Sequence, residues 1–275
     1  MSKIQAYTYR SYCFKVISAI SIIVCCITVF SGCGIMQNSK TNGAELHIAA
    51  ASDLYISFTQ LGKQFENITQ CKVHFTYGST GTLTQQIIHG APFDVLAAAH
   101  ESYIQDLEQH DLVFTDTIES YAQGRIGWAI QSESPLVVRE WMDLLHPSIR
   151  KIAIAQPQHA PYGLAAQQAL QTAGIWDQVL PKLVYGTSVL DTLNYVTTGN
   201  ADIGIIAQSI GNQPGISFQL LDASYHQPLN QTIAVVNTSL HEELARDFVD
   251  YVMSEEGQQL LASYGFDPPA KGSSP

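Results

Sequence analysis

The sequence predicts an α/β fold of mainly parallel sheets flanked by helices, on three grounds. Short apolar runs alternate with stretches of helical periodicity from residue 46 to residue 264, the pattern of strands joined through crossover helices. Hydrophobic residues make up 46% of the 275 positions, enough for a sizeable core and too many for a chain disordered over most of its length. Several strands are followed at once by small polar residues of the kind that open a helix.

The elements follow in order. Residues 46–51 (LHIAAA) form the first strand, after which Leu54, Phe58, Leu61, Phe65 and Ile68 recur on one face of a helix. Ser52 is placed to cap that helix, and Asp53 to oppose its dipole from the first turn, with its carboxylate facing solvent. Residues 73–77 (VHFTY) alternate as a strand, and Gly78-Ser79-Thr80-Gly81-Thr82 turns from it into a helix carrying Leu83, Ile87 and Ile88. Further strands are expected at 93–99, 152–155 (IAIA), 202–207 (DIGIIA), 217–221 (SFQLL) and 232–236 (TIAVV). Helices are expected near 161–173, 188–198, 239–253 and 255–264. No internal repeat interrupts the series.

The two ends read differently. Residues 1–15 carry only positive charges, 16–30 (VISAISIIVCCITVF) are almost continuously apolar, and Ser31-Gly32 precede Cys33. A charged start, a short apolar core and small residues describe a secretory signal over 1–32. A cysteine directly after small residues resembles the bacterial lipobox, in which the thiol is lipidated and becomes the new N-terminus; Phe30 stands where that motif prefers Leu. Residues 33–44 are then a lipidated start and polar tether, and 267–275 a flexible tail. Of the five cysteines, Cys13, Cys25 and Cys26 leave with the signal, so an acylated Cys33 leaves Cys71 without a disulfide partner and suited to a half-buried apolar role.

Charge narrows the function. Charged residues are 13% of the chain, about half the ~25% of an ordinary soluble domain, yet the net charge is −11. The first 32 positions hold Lys3, Arg10 and Lys15 and no acid, so the remainder is more acidic still. Such a surface repels phosphate backbones and excludes nucleic acid as the expected partner. Catalytic signatures are missing too: there is no G-x-S-x-G elbow, no G-x-G-x-x-G after a strand, and no P-loop. The nine histidines never fall in H-x-H or H-x-x-x-H spacing, so no local zinc scaffold exists and no metal is expected.

What remains is a set of small polar residues at strand-to-helix junctions: Ser52, Ser79-Thr80, Tyr162-Gly163 and Gly186-Thr187-Ser188-Val189. The first turn of a helix has unpaired N–H groups and a positive dipole end, so several such turns aimed at one point bind an anion without lysine or arginine. None of the four segments contains a basic residue. Each has a plain alternative as an N-cap worth roughly 1 kcal/mol, and Gly78 and Gly81 as turn residues.

The chain resembles the molybdate-binding proteins of bacterial ABC importers, the ModA family. The resemblance is carried by Ala49-Ala50-Ala51-Ser52, Tyr77-Gly78-Ser79-Thr80-Gly81-Thr82-Leu83, Gly90-Ala91-Pro92-Phe93-Asp94-Val95, His159-Ala160-Pro161-Tyr162-Gly163 and Tyr264-Gly265-Phe266, in that order. It implies a two-lobed periplasmic-binding-protein fold (type II), with lobe 1 at 45–122 plus 231–266, lobe 2 at 123–230, and crossings near 120–130 and 229–236 that permit closure around a ligand. It also implies a ligand, molybdate or tungstate, held by Ser52, by Thr80 (with Ser79 as fallback), by Tyr162 from the second lobe and by the backbone N–H of Val189. Some members place a ligand tyrosine where this chain has Ala207, so Tyr162 takes over that role. No cofactor is implied; the partners are the oxyanion, the permease and, through Cys33, the membrane, for a monomer on the periplasmic side of a bacterial envelope.

Magnitudes suit such a site. Burying an unpaired ion costs tens of kcal/mol by Born estimates. Hydrogen bonds to charged groups return about 1.5–3 kcal/mol each, so about seven donors supply on the order of 10–20. Molybdate at neutral pH offers only acceptors and fits a donor-only site, whereas phosphate keeps a proton and needs an acceptor such as a carboxylate. Sulfate is the closer rival, separated by size. An enzyme or a sensor on the same two-lobed scaffold are the alternatives of another class.

Overall fold

The computed structural model of the protein describes residues 43–269. The signal segment, Cys33, the tether up to residue 42 and residues 270–275 lie outside the described residues.

In chain order the elements are β1 (Glu45–Ala51), α1 (Tyr55–Thr69), β2 (Lys72–Gly78), α2 (Thr80–Ile88), β3 (Val95–Ala98), α3 (Ser102–Gln109), β4 (Glu119–Gly124) and β5 (Ile126–Gln131). There follow β6 (Ile152–Ala155), α4 (Pro161–Thr172), α5 (Trp176–Val179), β7 (Leu183–Gly186), α6 (Val189–Thr197), β8 (Ile203–Ala207) and β9 (Ile216–Leu220). The last are β10 (Leu229–Val235), α7 (Glu242–Met253) and α8 (Glu255–Ser263).

The strands form two five-stranded sheets, in the orders β2-β1-β3-β10-β4 and β7-β6-β8-β5-β9. In each, three parallel strands come first and two antiparallel pairings complete the sheet, the fourth strand alone running against the rest. The chain passes between sheets twice. β4, an edge strand of the first sheet, runs through Arg125 into β5, the fourth strand of the second. β9, an edge strand of the second, returns through 221–228 to β10, the fourth strand of the first. Helices connect the parallel strands, as the alternating pattern requires.

Burial follows the sequence pattern. The apolar run of β1 is buried on both faces, Leu46, Ile48, Ala49 and Ala50 all being inaccessible. Leu54, Phe58, Leu61 and Phe65 turn inward, and Phe58 lies 6.0 Å from the rings of Phe75, Tyr121 and Phe248. On the second sheet Trp128 and Trp141 meet edge to face at 4.4 Å. Cys71 is buried and unbridged, its sulfur receiving the Thr69 hydroxyl. Among the described residues no helix is long and apolar enough to cross a membrane.

Three local expectations change. The helix after β1 begins at Tyr55, not Ser52: residues Ser52–Leu54 form a 3-10 turn, and the Ser52 side chain does not cap its own helix. Ile68 is 63% exposed, because it sits in the last turn of α1, where the chain leaves through left-handed Gln70 toward β2. Asp267 opens the segment expected as a tail, but its backbone exchanges two hydrogen bonds with Gln123 of β4, at 2.8 and 3.0 Å.

Candidate functional site

The site lies where strands give way to helices. The Ser52 turn follows β1, Ser79 and α2 follow β2, α4 follows β6, and Ser188 and α6 follow β7. In open α/β sheets the carboxyl ends of the strands are where ligands bind, because loops and helix N-termini converge there. Ser52, Ser79, Thr80, Tyr162 and Val189, all five residues singled out in the sequence, line one pocket of about 170 Å³ of free space. That space includes room open to solvent; the part open to the centre of a water-sized sphere is about 10 Å³, the room of about one water, far below the ~300 Å³ at which drug-sized pockets begin. Its lining contains no lysine or arginine.

The donors differ in what they have left to give. Ser52 Oγ accepts the Leu190 N–H at 3.4 Å, and Thr80 Oγ1 accepts the Ala99 N–H at 3.1 Å, so each hydroxyl keeps its own proton to donate. Val189 is the first residue of α6, where a backbone N–H has no partner within the helix. Ser188 behind it is a true cap, accepting the Asp191 N–H at 3.2 Å. Ser79 is spoken for: its hydroxyl lies 2.8 Å from both Thr82 Oγ1 and His159 Nδ1.

Asp53 departs most from expectation. Read in the sequence as a solvent-facing charge, it is 1% exposed and lines the pocket. The Tyr162 hydroxyl donates to its Oδ2 at 3.0 Å, and Gln231 Nε2 donates to the same oxygen at 2.6 Å and to the Tyr162 oxygen at 2.9 Å. Tyr121 in turn donates to Gln231 Oε1 at 2.7 Å, fixing the amide's orientation. The other carboxylate oxygen, Oδ1, is buried with no hydrogen-bond partner among the described residues. Burial raises the acid to about 6, against the lowering pull of Gln231 and Tyr162. The same burial, with the Asp53 charge beside it, pushes the Tyr162 phenol well above its usual range, so it remains a donor. Tyr162 therefore reaches the pocket, as the resemblance implies, with its proton turned to Asp53.

Several of these bonds join the two halves. Besides Asp53–Tyr162 and Ser52–Leu190, the Gly81 N–H donates to His159 O at 2.9 Å and Ser209 Oγ donates to Asp53 O at 2.8 Å. Gln231 and Tyr121 were missed in the sequence. The available signal was a glutamine set against the apolar run of β10 (LNQTIAV), where the structure buries it fully.

Two sheets joined by two crossings, with helix starts from both converging on a small polar pocket, define a protein that holds a small solute between its lobes. The profile of the family described as bacterial extracellular solute-binding protein matches residues 46–267, and the chain belongs to that family. It is 29% identical over 245 residues to the molybdate-binding protein ModA of Azotobacter vinelandii, covering 87% of this chain and 96% of that one. It is 27% identical to a putative ABC transporter substrate-binding lipoprotein, YvgL, of Bacillus subtilis, covering 90% and 97%. Among solved structures, the periplasmic molybdate-binding protein of Azotobacter vinelandii superposes with a TM-score of 0.77 at 27% identity, over 82% of this chain and all of that one.

Proposed function

We propose that this chain is the substrate-binding protein of an ABC importer, capturing molybdate between its lobes and delivering it to a membrane permease. The observation that carries this reading is the convergence of Ser52, Thr80 and the Val189 N–H, from both lobes, on a pocket too small for a sugar or peptide and lined by no basic residue. Donors without counter-charges suit a fully ionised tetrahedral oxyanion, whose oxygens only accept. The molybdate-binding relative from Azotobacter, matched along nearly its whole length, supports the choice of ion.

The finer assignments belong to the same proposal. Lobe 1 comprises 45–122 plus 231–266 and lobe 2 comprises 123–230, with closure about the two crossings. Ser52, Thr80, Val189 and Tyr162 are the ligand donors, with Ser79 as support through His159. Tungstate, of the same shape and charge, is the alternative ligand. The protein acts as a monomer and a binder rather than an enzyme, exported and held at the membrane through a lipid on Cys33; the Bacillus relative described as a lipoprotein supports the anchor.

Isothermal titration with molybdate, tungstate, sulfate and phosphate tests the assignment. Submicromolar affinity for molybdate with sulfate ignored is the expected result. Equal affinity for sulfate would make this a general sulfate binder and overturn the choice of ion.

A further inference from the structure

The Asp53 carboxylate has no place in a donor-only site. It lines the pocket, its Oδ1 is buried without a partner, and its Oδ2 holds the one proton that Tyr162 could give a ligand. Resting on the proposal that the ligand is a dianion, we infer that binding loads one proton onto Asp53 and thereby turns the Tyr162 hydroxyl from Asp53 to the ligand.

The argument is one of charge and of hydrogen-bond direction. A doubly negative ion and a carboxylate cannot both stay ionised in so small a pocket, because like charges sharing a site raise the affinity of the titratable one for a proton. Molybdate, fully ionised at neutral pH, is the weaker base, so the proton goes to Asp53. It comes from solvent and binds Oδ2; no other bond is made or broken. Once protonated, Oδ2 donates to the Tyr162 oxygen instead of accepting from it. Tyr162 Oη then accepts from both Asp53 and Gln231 Nε2, which frees its own O–H for the ligand. One proton removes a repulsion and adds a donor.

The surroundings leave Asp53 as the acceptor of that proton. The titratable groups facing it are Tyr162 on α4 and Tyr121 on β4, both held far above neutrality by burial. β10 faces it with neutral Gln231, and the turn Gln208–Ile210 with neutral Ser209. Of the other elements against its turn, α1 brings Tyr55, exposed Lys63, and Glu66 accepting the Val73 N–H. β2 brings Tyr77 bonded to Thr59, exposed Lys72, and His74 beside Glu45. α6 brings Tyr195 and Asp191, the latter bonded to Thr187. His159 meets Ser79 at the pocket edge. Without ligand Asp53 already titrates near 6, so it is mostly ionised at pH 7.5 and has a proton to gain.

The test is titration of the full chain with sodium molybdate at pH 7.5 in buffers of different ionisation enthalpy, which counts protons exchanged per ion bound. Close to one proton taken up is expected, with affinity falling about tenfold per pH unit between pH 6.5 and 8. Asp53→Asn, whose amide donates to Tyr162 as the protonated acid would, is expected to bind molybdate with no proton uptake and a flat pH profile. Binding by the natural chain without proton uptake overturns the inference, as does uptake that persists in D53N, which would place the proton on another group. Tighter binding of hydrogen phosphate than of molybdate, with no uptake, also overturns it, since Oδ1 would then accept a proton already on the ligand. Absence of molybdate binding at every pH removes the proposed ligand itself, a different result from binding without uptake. If D53N fails to fold, the proton count and pH slope of the natural chain decide alone.

Discussion

The backbone N–H of Gly81 donates to the carbonyl oxygen of His159 at 2.9 Å, tying the first turn of α2 to the loop before α4. A Cβ at Gly81 would stand 2.7 Å from that oxygen and 3.0 Å from His159 Cα, both rigid backbone atoms. The glycine is what allows the two lobes to approach this closely.

Gly81→Ala therefore acts on closure. Ligand affinity is expected to fall at least tenfold, the equivalent of about 1.4 kcal/mol. The melting temperature without ligand should hold or rise slightly, since alanine is the better helix former. Titration calorimetry paired with a thermal melt separates the two effects; an unchanged affinity would show that the His159 contact plays no part in binding.

Tyr162→Phe removes a hydroxyl that serves Asp53 directly and, in the proton-loaded state, the ligand. Molybdate binding is expected to weaken by roughly 1.5–3 kcal/mol, the value of one bond to a charged group. Gly124→Ala is expected to do the same by displacing an intact phenol, because its Cβ would collide with the Tyr162 hydroxyl. Titration of both variants checks the pair, and normal binding by Y162F would take Tyr162 out of the site.

Stability without ligand carries the mark of the buried acid. Because the folded state raises Asp53 from 3.8 to about 6, the native protein holds the proton more tightly than the unfolded chain. Stability from this group is thus full below 3.8, declines as pH rises to about 6, and stays lost above it, by an amount of about 3 kcal/mol. Urea unfolding at pH 7.5 should accordingly find Asp53→Asn more stable than the natural chain, the gap shrinking toward pH 4. A gap that widened on acidification would have the wrong sign.

Arg125 occupies the first crossing, and its guanidinium reaches Leu221 O at the start of the second and Asp267 Oδ2, each at 3.1 Å. Arg125→Ala is expected to cost about 1 kcal/mol of stability, since the Asp267 side chain is about half exposed and the ion pair correspondingly screened. Binding should weaken only a few-fold, measured by unfolding and titration in parallel. Loss of binding without loss of stability would make the residue part of the recognition itself.

Cys33→Ser in the exported protein is expected to move it from the membrane fraction to the soluble one, with molybdate affinity unchanged. Fractionation of cells expressing each form checks this, and retention of the serine variant in the membrane would require another anchor.

The sequence showed its local features well and its long-range ones poorly. Strand and helix alternation was readable because each element's periodicity is written within it. Ser52, Thr80 and, beside Ser188, Val189 stand out for the same reason, because each belongs to a short segment with small polar residues after a strand. Asp53 reads from its neighbours alone as one more acidic residue in a first turn, facing solvent, and the structure buries it instead. Its burial is decided by Gln231, 178 residues away, and Tyr162, 109 away, which no local pattern announces. The Ser52 turn illustrates the same limit: Ser52 Oγ meets the Leu190 N–H across the pocket instead of closing its own helix.

The exchange of strands between the sheets sets an order of assembly. All five strands of the second sheet lie within residues 126–220 and can pair as soon as that stretch is available. The first sheet holds β10 between β3 and β4, so its outer strand has nothing to pair with until residue 235 is present. In a chain threaded through a membrane from its amino end, the half that emerges later is the one that completes first. The earlier half waits with an open seam, exposed to any chaperone or protease at the exit.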